Sequence, residues 1–539
     1  SGARVRIYAG ITPLGSATTG PDGTFASVSS GADAVSIDCK FCERTRLRVG
    51  SEGIVVAIIR RYDAVGSEVP TNEDLSHLPY AGVESALSLT PFVLLSQDGR
   101  SVIGPQLDDR RISGHGGLFV INGTPNYDIE TNASAYATIP DYDASQIAVK
   151  RSSLGYLYGD TADAGTFIVD TNGGTSVSAA GSGAALKAVV SSNVSGASAA
   201  LSSVFGEDIR SRADASLGFS GSGYAGNVSL GTGRGFENLP GDVPFASSFS
   251  SLRLAAERTS GADVSASLIA DRGTYFYDSF PYPANVAWSD WDARAMIRAR
   301  SVLSPFAQVS FRRSTGESRL GQTRFVAGAT LNEAHFSGFA ALGTDAISYD
   351  AYDKTTTAPA HAHDAIVSGT WTPSDAVSLE ASARTGYWLP PFAFAYDANP
   401  GAPIVINQSN SLESTLSFND ARRFRFSLTA LRFRDQAGTE SGSAGASLAW
   451  QITPKISVRS WMLRSGDTQS DPAAFGSTWA TYQNGNFHMD WIVRREVRNG
   501  LPDAHVDGAI GGALNRYASW FIATERRNGL RTLRLGVRF

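Results

Sequence analysis

Residues 262–271 read Ala-Asp-Val-Ser-Ala-Ser-Leu-Ile-Ala-Asp and set Ala262, Val264, Ala266, Leu268 and Ala270 in alternation with Asp263, Ser265, Ser267, Ile269 and Asp271. A period of two sends successive side chains to opposite faces of a strand, so one face meets an apolar phase and the other a polar one. The same code returns in Val377, Leu379, Ala381 and Ala383 against Ser378, Glu380, Ser382 and Arg384. It returns again in Ala446, Leu448, Trp450 and Ile452 against Ser447, Ala449, Gln451 and Thr453. A soluble β-sandwich writes this pattern strand by strand, so no single strand decides between the two.

The extent of the pattern does. From about residue 174 to the end it continues, broken by turns every 10–15 residues or so. The polar face carries many Arg, Asp and Glu, as the lumen of an antiparallel membrane β-barrel tolerates. Connections such as Thr453-Pro454-Lys455 and Pro373-Ser374-Asp375 are very short, whereas Tyr396 to Ile406 is longer. Short turns on one rim and longer loops on the other are the asymmetry of an outer-membrane barrel. All nine Trp fall between Trp288 and Trp520, which predicts aromatic girdles at the two interfaces. About 22 segments of roughly 16 residues each fit between residue 184 and the C-terminus, against the ~9–11 residues of a spanning strand. A barrel of that size carries a plugged lumen.

The chain has 539 residues with Gly 55, Cys 2, Met 3, 18% charged residues and a net charge of −5. That balance argues against a nucleic-acid partner, which requires a basic face to neutralise phosphates. No run approaches the ~18 apolar residues of a transmembrane helix; Ile54-Val55-Val56-Ala57-Ile58-Ile59 is among the longest. Cys39 and Cys42 are read as structural, either free or bonded to each other, with no further ligand nearby to build a zinc site. The chain opens at Val5-Arg6-Ile7-Tyr8, already strand-like and without a basic and apolar leader, so the sequence is expected to be a portion of a longer precursor.

Upstream of the barrel the composition shifts twice. Residues 1–52 read as short strands around the turn Thr19-Gly20-Pro21-Asp22-Gly23, a small β-sandwich. Residues 71–173 are mixed. Leu75, Leu78, Val83, Leu87 and Leu89 keep loosely helical spacings up to Pro91, and Leu118–Ile121 and Thr166–Val169 read as buried strands.

The residues of this mixed segment resemble the plug of TonB-dependent outer-membrane receptors. Asn72-Glu73-Asp74-Leu75 leads to Pro91-Phe92-Val93, with Phe92 where the family prefers Gly. Ile112-Ser113-Gly114 is similar to the family's Ile-Arg-Gly, and Ile121-Asn122-Gly123-Thr124-Pro125 to its Val-Asp-Gly-X-Pro turn. The fullest match is Ile147-Ala148-Val149-Lys150-Arg151, followed by Gly155-Tyr156-Leu157-Tyr158-Gly159, Ala162, Gly165 and Ile168. It retains Arg151, Tyr158, Gly159 and Gly165 of the family pattern, with Ser152-Ser153 in place of Gly-Pro. Pro13-Leu14-Gly15-Ser16-Ala17 with Asp22-Gly23-Thr24-Phe25 is similar to the carboxypeptidase regulatory-like domain that precedes many such plugs. The terminal face Leu533, Leu535, Val537 and Phe539 resembles the C-terminal signal of bacterial outer-membrane barrels, which the barrel assembly machinery reads.

The resemblance implies an outer-membrane transporter that imports a scarce small ligand bound at the plug apex, around Ser101–Arg111 and Thr124–Ala137, and at the outer loops. By position, Ile54, Val55, Val56, Ala57 and Ile58 in the segment 53–70 look like a TonB box, which pairs by strand addition with a TonB-like periplasmic energy-transducing protein. The alternative is that Val55 to Ile59 is the last strand of the sandwich. Outer-membrane lipid is the remaining partner, and no cofactor is implied.

Enzyme patterns are weak. Gly173-Gly174-Thr175-Ser176-Val177-Ser178-Ala179 with Asp109 and His115 has the order of a protease triad but too little chain between its members. His361-Ala362-His363-Asp364 is a conceivable metal pair that more often stands solvated, and Asp108-Asp109 reads as surface charge beside Arg110 and Arg111. Gly231-Thr232-Gly233-Arg234-Gly235 lacks the strand–helix setting of a phosphate loop. The expectation is therefore a transporter without catalytic or metal residues; the competing one is a structural or assembly barrel that anchors a partner.

Overall fold

The computed structural model of the chain describes four strands between residues 4 and 48, positions 19, 24–26 and 91, and the segments 118–121, 124–126, 146–150, 155–158 and 166–170. It also describes the strands and several of their turn residues between 176 and 538. The expected helix before Pro91, the thiols Cys39 and Cys42, the segment Ile54–Ile58 and Phe539 lie outside the described residues, as do Gly123, Arg151, Gly159 and Gly165.

The N-terminal strands β1 (Arg4–Ala9), β2 (Thr12–Thr18), β3 (Ala34–Asp38) and β4 (Thr45–Arg48) form one antiparallel sheet in the order β2-β1-β3-β4. Alternation places Val5, Ile7, Val35 and Ile37 on one buried face, with Val5 and Ile37 in register. A second mixed sheet follows. It holds β5 (Leu118–Ile121), β6 (Thr124–Asn126), β7 (Gln146–Lys150) and β8 (Thr166–Asp170) in the order β6-β5-β8-β7, with β5 and β8 parallel. The two runs that read as buried strands are β5 and β8.

All the remaining strands, β9 (Ser176–Ser182) to β30 (Leu530–Arg538), make a closed barrel of 22 strands among the described residues. Every barrel pairing is antiparallel, and all join strands consecutive in sequence except the one where β30 meets β9 and closes the cylinder. That seam is short: its register runs from Leu535↔Gly181 to Arg538↔Ser178, whereas β14 (Val243–Ser260) and β15 (Ala262–Tyr277) stay paired from Phe245↔Tyr277 to Ser260↔Ala262.

The two faces of this wall invert the rule of a soluble core. On β18 (Arg319–Asn332) the outward Phe325 is 50% exposed while the inward Arg324 is 2% exposed. On β19 (Phe336–Asp350) Leu342 is 68% exposed beside a buried Asp345. Outward Leu412, Leu428 and Met462 and inward Ser310, Thr370 and Asp490 repeat the contrast. Large apolar side chains on the outside and buried polar ones within are stable only when hydrocarbon surrounds the cylinder. The three alternating stretches quoted from the sequence all place their apolar set outward.

The tryptophans correct the expected girdles. Trp291, Trp371, Trp450 and Trp491 are outward and exposed, but Trp461 and Trp479 are buried on the inner face. There the Trp479 indole donates to Asp490 (2.9 Å), and Arg459 lies over its ring. On one rim the longest connection joins Ala513 to Ser519; on the other, residues 278–283, 351–356 and 389–406 intervene. Gly485, at the two-residue turn after Asn484, has φ +59°, a conformation that favours glycine.

Leu428 lies four residues from Phe424 and four from Arg432 on the outward face of β23 (Phe424–Asp435), midway up the apolar band. Leu428→Arg is expected to cost about 2–4 kcal/mol, the penalty for a cation at the hydrocarbon midplane. Urea unfolding from vesicles measures it, and an unchanged midpoint would contradict a lipid-facing wall.

Candidate functional site

The chemistry of the inner wall concentrates on β17 (Leu303–Thr315), β18, β19, β20 (Thr357–Ser374) and β21 (Val377–Trp388), five consecutive strands whose inward residues stand at neighbouring levels. Register pairs Arg324 with Asp345, and Asp364 with Gly343. Arg324 therefore stands between two carboxylates. One guanidinium nitrogen bonds Asp345, and Nη2 donates to Asp364 Oδ2 at 2.7 Å. Gln322 Nε2 donates to Asp345 Oδ1 (2.8 Å) and to the Tyr387 hydroxyl (3.1 Å).

Onto this network comes a residue from outside the barrel wall. The 3-10 turn Gly155–Tyr158, between β7 and β8, turns Tyr156 and Leu157 against the wall, both buried. The Tyr156 hydroxyl donates to Asp364 Oδ1 at 2.7 Å and lies 3.0 Å from the Asp364 carbonyl oxygen. Its own carbonyl accepts from Arg324 Nη2 (3.1 Å), while the Leu157 carbonyl accepts from Gln308 Nε2 (2.5 Å) and Arg294 Nη1 (3.3 Å). Arg294 is itself held by both oxygens of Asp292. Below the hydroxyl the ring meets Phe339 edge-on at 6.4 Å, Phe339 stacks on Phe306, and Val326, Ala341 and Ile366 complete the apolar seat.

Burial and the Asp364 carboxylate push the Tyr156 phenol well above its ordinary range, so it stays protonated and donates. Arg324 and Arg384 lie over its ring at 5.2 and 5.7 Å. Space for the whole cluster depends on Gly343. A Cβ there would stand 2.0 Å from Asp364 Oδ1 and 2.9 Å from both Arg324 Nη2 and the Tyr156 hydroxyl.

Of the plug residues singled out in sequence, Tyr158 ends the anchored turn and Pro125 lies in β6, at the edge of the mixed sheet. Leu535 and Val537 sit in the closing strand, in register with Gly181 and Ala179. Tyr156, which is not among the residues retained from the family pattern, makes the contacts. A second residue read differently is Asp364: it faces inward, whereas His361 and His363 are exposed on the outward face. Alternation thus separates the carboxylate from the two imidazoles. Among the described residues no group of His, Cys, Asp and Glu is placed to hold a metal ion.

No family model and no curated relative matches the sequence. Solved structures do match in fold. The alcaligin outer-membrane receptor FauA from Bordetella pertussis aligns with a TM-score of 0.68 at 11% identity, over 89% of this chain and 96% of that one. The siderophore receptor PirA from Pseudomonas aeruginosa aligns at 0.68 and 12%, over 88% and 99%. A structure described as the copper transporter OprC aligns at 0.71 and 12%, over 88% and 98%. The chain shares the fold of these three structures.

Proposed function

We propose that the chain is an outer-membrane receptor of the TonB-dependent kind, importing a scarce small ligand through a barrel stoppered by residues 71–173. The observation that carries this is the Tyr156 turn, which lies between two strands of a separate sheet and is fastened to the inner wall by polar contacts that can be broken and remade. A stopper meant to move suits hydrogen bonds, since each is worth only about 0.5–3 kcal/mol net, the upper end being for those to charged groups. The fold neighbours, a siderophore receptor and a copper transporter among them, support transport as the class. In this reading the N-terminal sheet is a carboxypeptidase regulatory-like domain, and Ile54–Ile58 is the strand that a TonB-like protein pulls. The energy then comes from the inner membrane, because the outer membrane holds no proton gradient.

Deleting Ile54–Ile58 tests this. A transporter loses uptake while ligand binding and barrel insertion persist. Barrel connections of at most six residues everywhere but 389–406 favour a second reading, a barrel that anchors a partner through its N-terminal sheet. For such a barrel the deletion changes nothing.

A further inference from the structure

The outward face ends differently on its two rims. Toward the short-turn rim it ends in aromatics: Phe336 stands opposite Trp371, and Phe424 opposite Trp450, all exposed. Toward the other rim the apolar run ends in arginine. On β17 the outward series runs Leu303, Pro305, Ala307, Val309, Phe311 and then Arg313; on β25 (Ile456–Asp467) it runs Ile456, Val458, Ser460, Met462 and then Arg464. Arg272 on β15, Arg432 on β23 and Arg495 on β27 (Phe487–Arg498) end their strands' apolar runs in the same way, and each is exposed. Eight to ten residues at ~3.3 Å, tilted by about 40°, separate the two levels by roughly 20–25 Å, close to the height of an apolar band.

The belt is densest across β15, β16 (Ala284–Ala299), β17 and β18. Register puts Arg272 opposite Ser289, Ser289 opposite Thr315, and Thr315 opposite Arg319, one row across four strands. Arg313 lies in the next row toward the apolar band, opposite the exposed Trp291. The hydroxyls of Ser289 and Thr315 are 2.7 Å apart in the middle of the row. At ~4.8 Å per strand the three guanidinium stems emerge within about 15 Å of one another. The lumen arginines are held by carboxylates, whereas among the described side chains none is paired with Arg272 or Arg313, and the row's one acidic position is Asp350, in register with Arg319. Among the described side chains of the belt the one carboxylate is Glu440, taken by Arg432 at 2.9 Å and Arg434 at 3.8 Å.

We propose that this row is a binding site for anionic, phosphate-bearing lipid headgroups in the membrane leaflet at the long-connection rim. The guanidinium fork matches phosphate oxygens in two bonds, the hydroxyls add donors between the forks, and Trp291 sits at headgroup depth beneath them. Three cations against the single acidic position Asp350 leave the row net positive, and an anion lying across it relieves that charge. The inference rests on the membrane reading of the barrel.

The test uses the folded chain in detergent, titrated with phosphatidic acid or phosphatidylcholine and read by native mass spectrometry. Wild type should prefer phosphatidic acid. R272Q/R313Q/R319Q should lower that preference on the order of a hundredfold, whereas the three Lys replacements retain most of it and Lys455→Gln on the opposite rim retains all of it. Equal retention of both lipids by wild type, or an unchanged preference in the triple Gln variant with heat-modifiable mobility intact, overturns the proposal. Insertion into phosphatidylcholine vesicles separates the two levels of failure. A chain that inserts without discriminating overturns the lipid site alone, and one that does not insert overturns the membrane reading with it.

Discussion

A chain lacking residues 71–172 is expected to conduct ions steadily in planar bilayers where the full chain is closed. The barrel ladder runs only between barrel strands, from β9 round to β30, so the deletion removes no hydrogen bond from the wall. What it removes is the turn whose carbonyls and phenol engage Arg324, Gln308, Arg294 and Asp364. The exposed lumen would then be lined by Ser310, Gln322, Arg324, Asp345 and Asp364, side chains that water solvates readily. Barrels of 16–18 strands already enclose an aqueous channel, and this one is wider. The expected rise in conductance is at least about tenfold, and a silent variant that still shows heat-modifiable mobility would remove residues 71–172 from the role of stopper.

Arg324→Ala is expected to be the most damaging single substitution in the lumen. Arg324 is 2% exposed and lies between Asp345 and Asp364, both fully covered, so its loss leaves two carboxylates buried without their cation. Removing one partner of a buried pair costs about 3–5 kcal/mol, and here the neutral donors Gln322 and Tyr156 remain on the two carboxylates. Tyr156→Phe removes one hydroxyl and keeps the ring on Phe339, so about 1–3 kcal/mol is expected. Gly343→Ala reaches the same bond from the wall side by driving Asp364 out of place. The temperature at which the compact form is lost on gels ranks the three. A Tyr156→Phe variant as damaged as Arg324→Ala would mean that the phenol, not the guanidinium, organises the cluster.

The barrel was legible because period-two alternation survives for more than 350 residues and is written by local sequence alone. Ala262 to Ala270 and Val377 to Ala383 point outward as their pattern demands. Tryptophan positions were less legible: Trp461 and Trp479 fall on the polar face, where a ring over Arg459 and an indole bond to Asp490 make the lumen hospitable. The anchor was not legible. Tyr156 and Asp364 are 208 residues apart, and no local pattern couples a turn to a strand at that distance. Beside the two histidines Asp364 reads as one residue of a solvated polar stretch, not as an inward anchor. A usable signal was present nonetheless, since Arg324, Asp345 and Asp364 are charged inward positions on consecutive strands, and such a level in a lumen marks a place where something docks.

The β9–β30 seam has a kinetic consequence. Every other pairing in the cylinder joins strands adjacent along the chain and can zip as a hairpin, at little loop entropy. The seam must bring together residues 178–181 and 535–538, with the rest of the wall strung between them, and only four register pairs reward the encounter. Ring closure is therefore the final step of folding, and substitutions at Gly181 or Leu535 should slow maturation far more than they shift the equilibrium of the finished barrel.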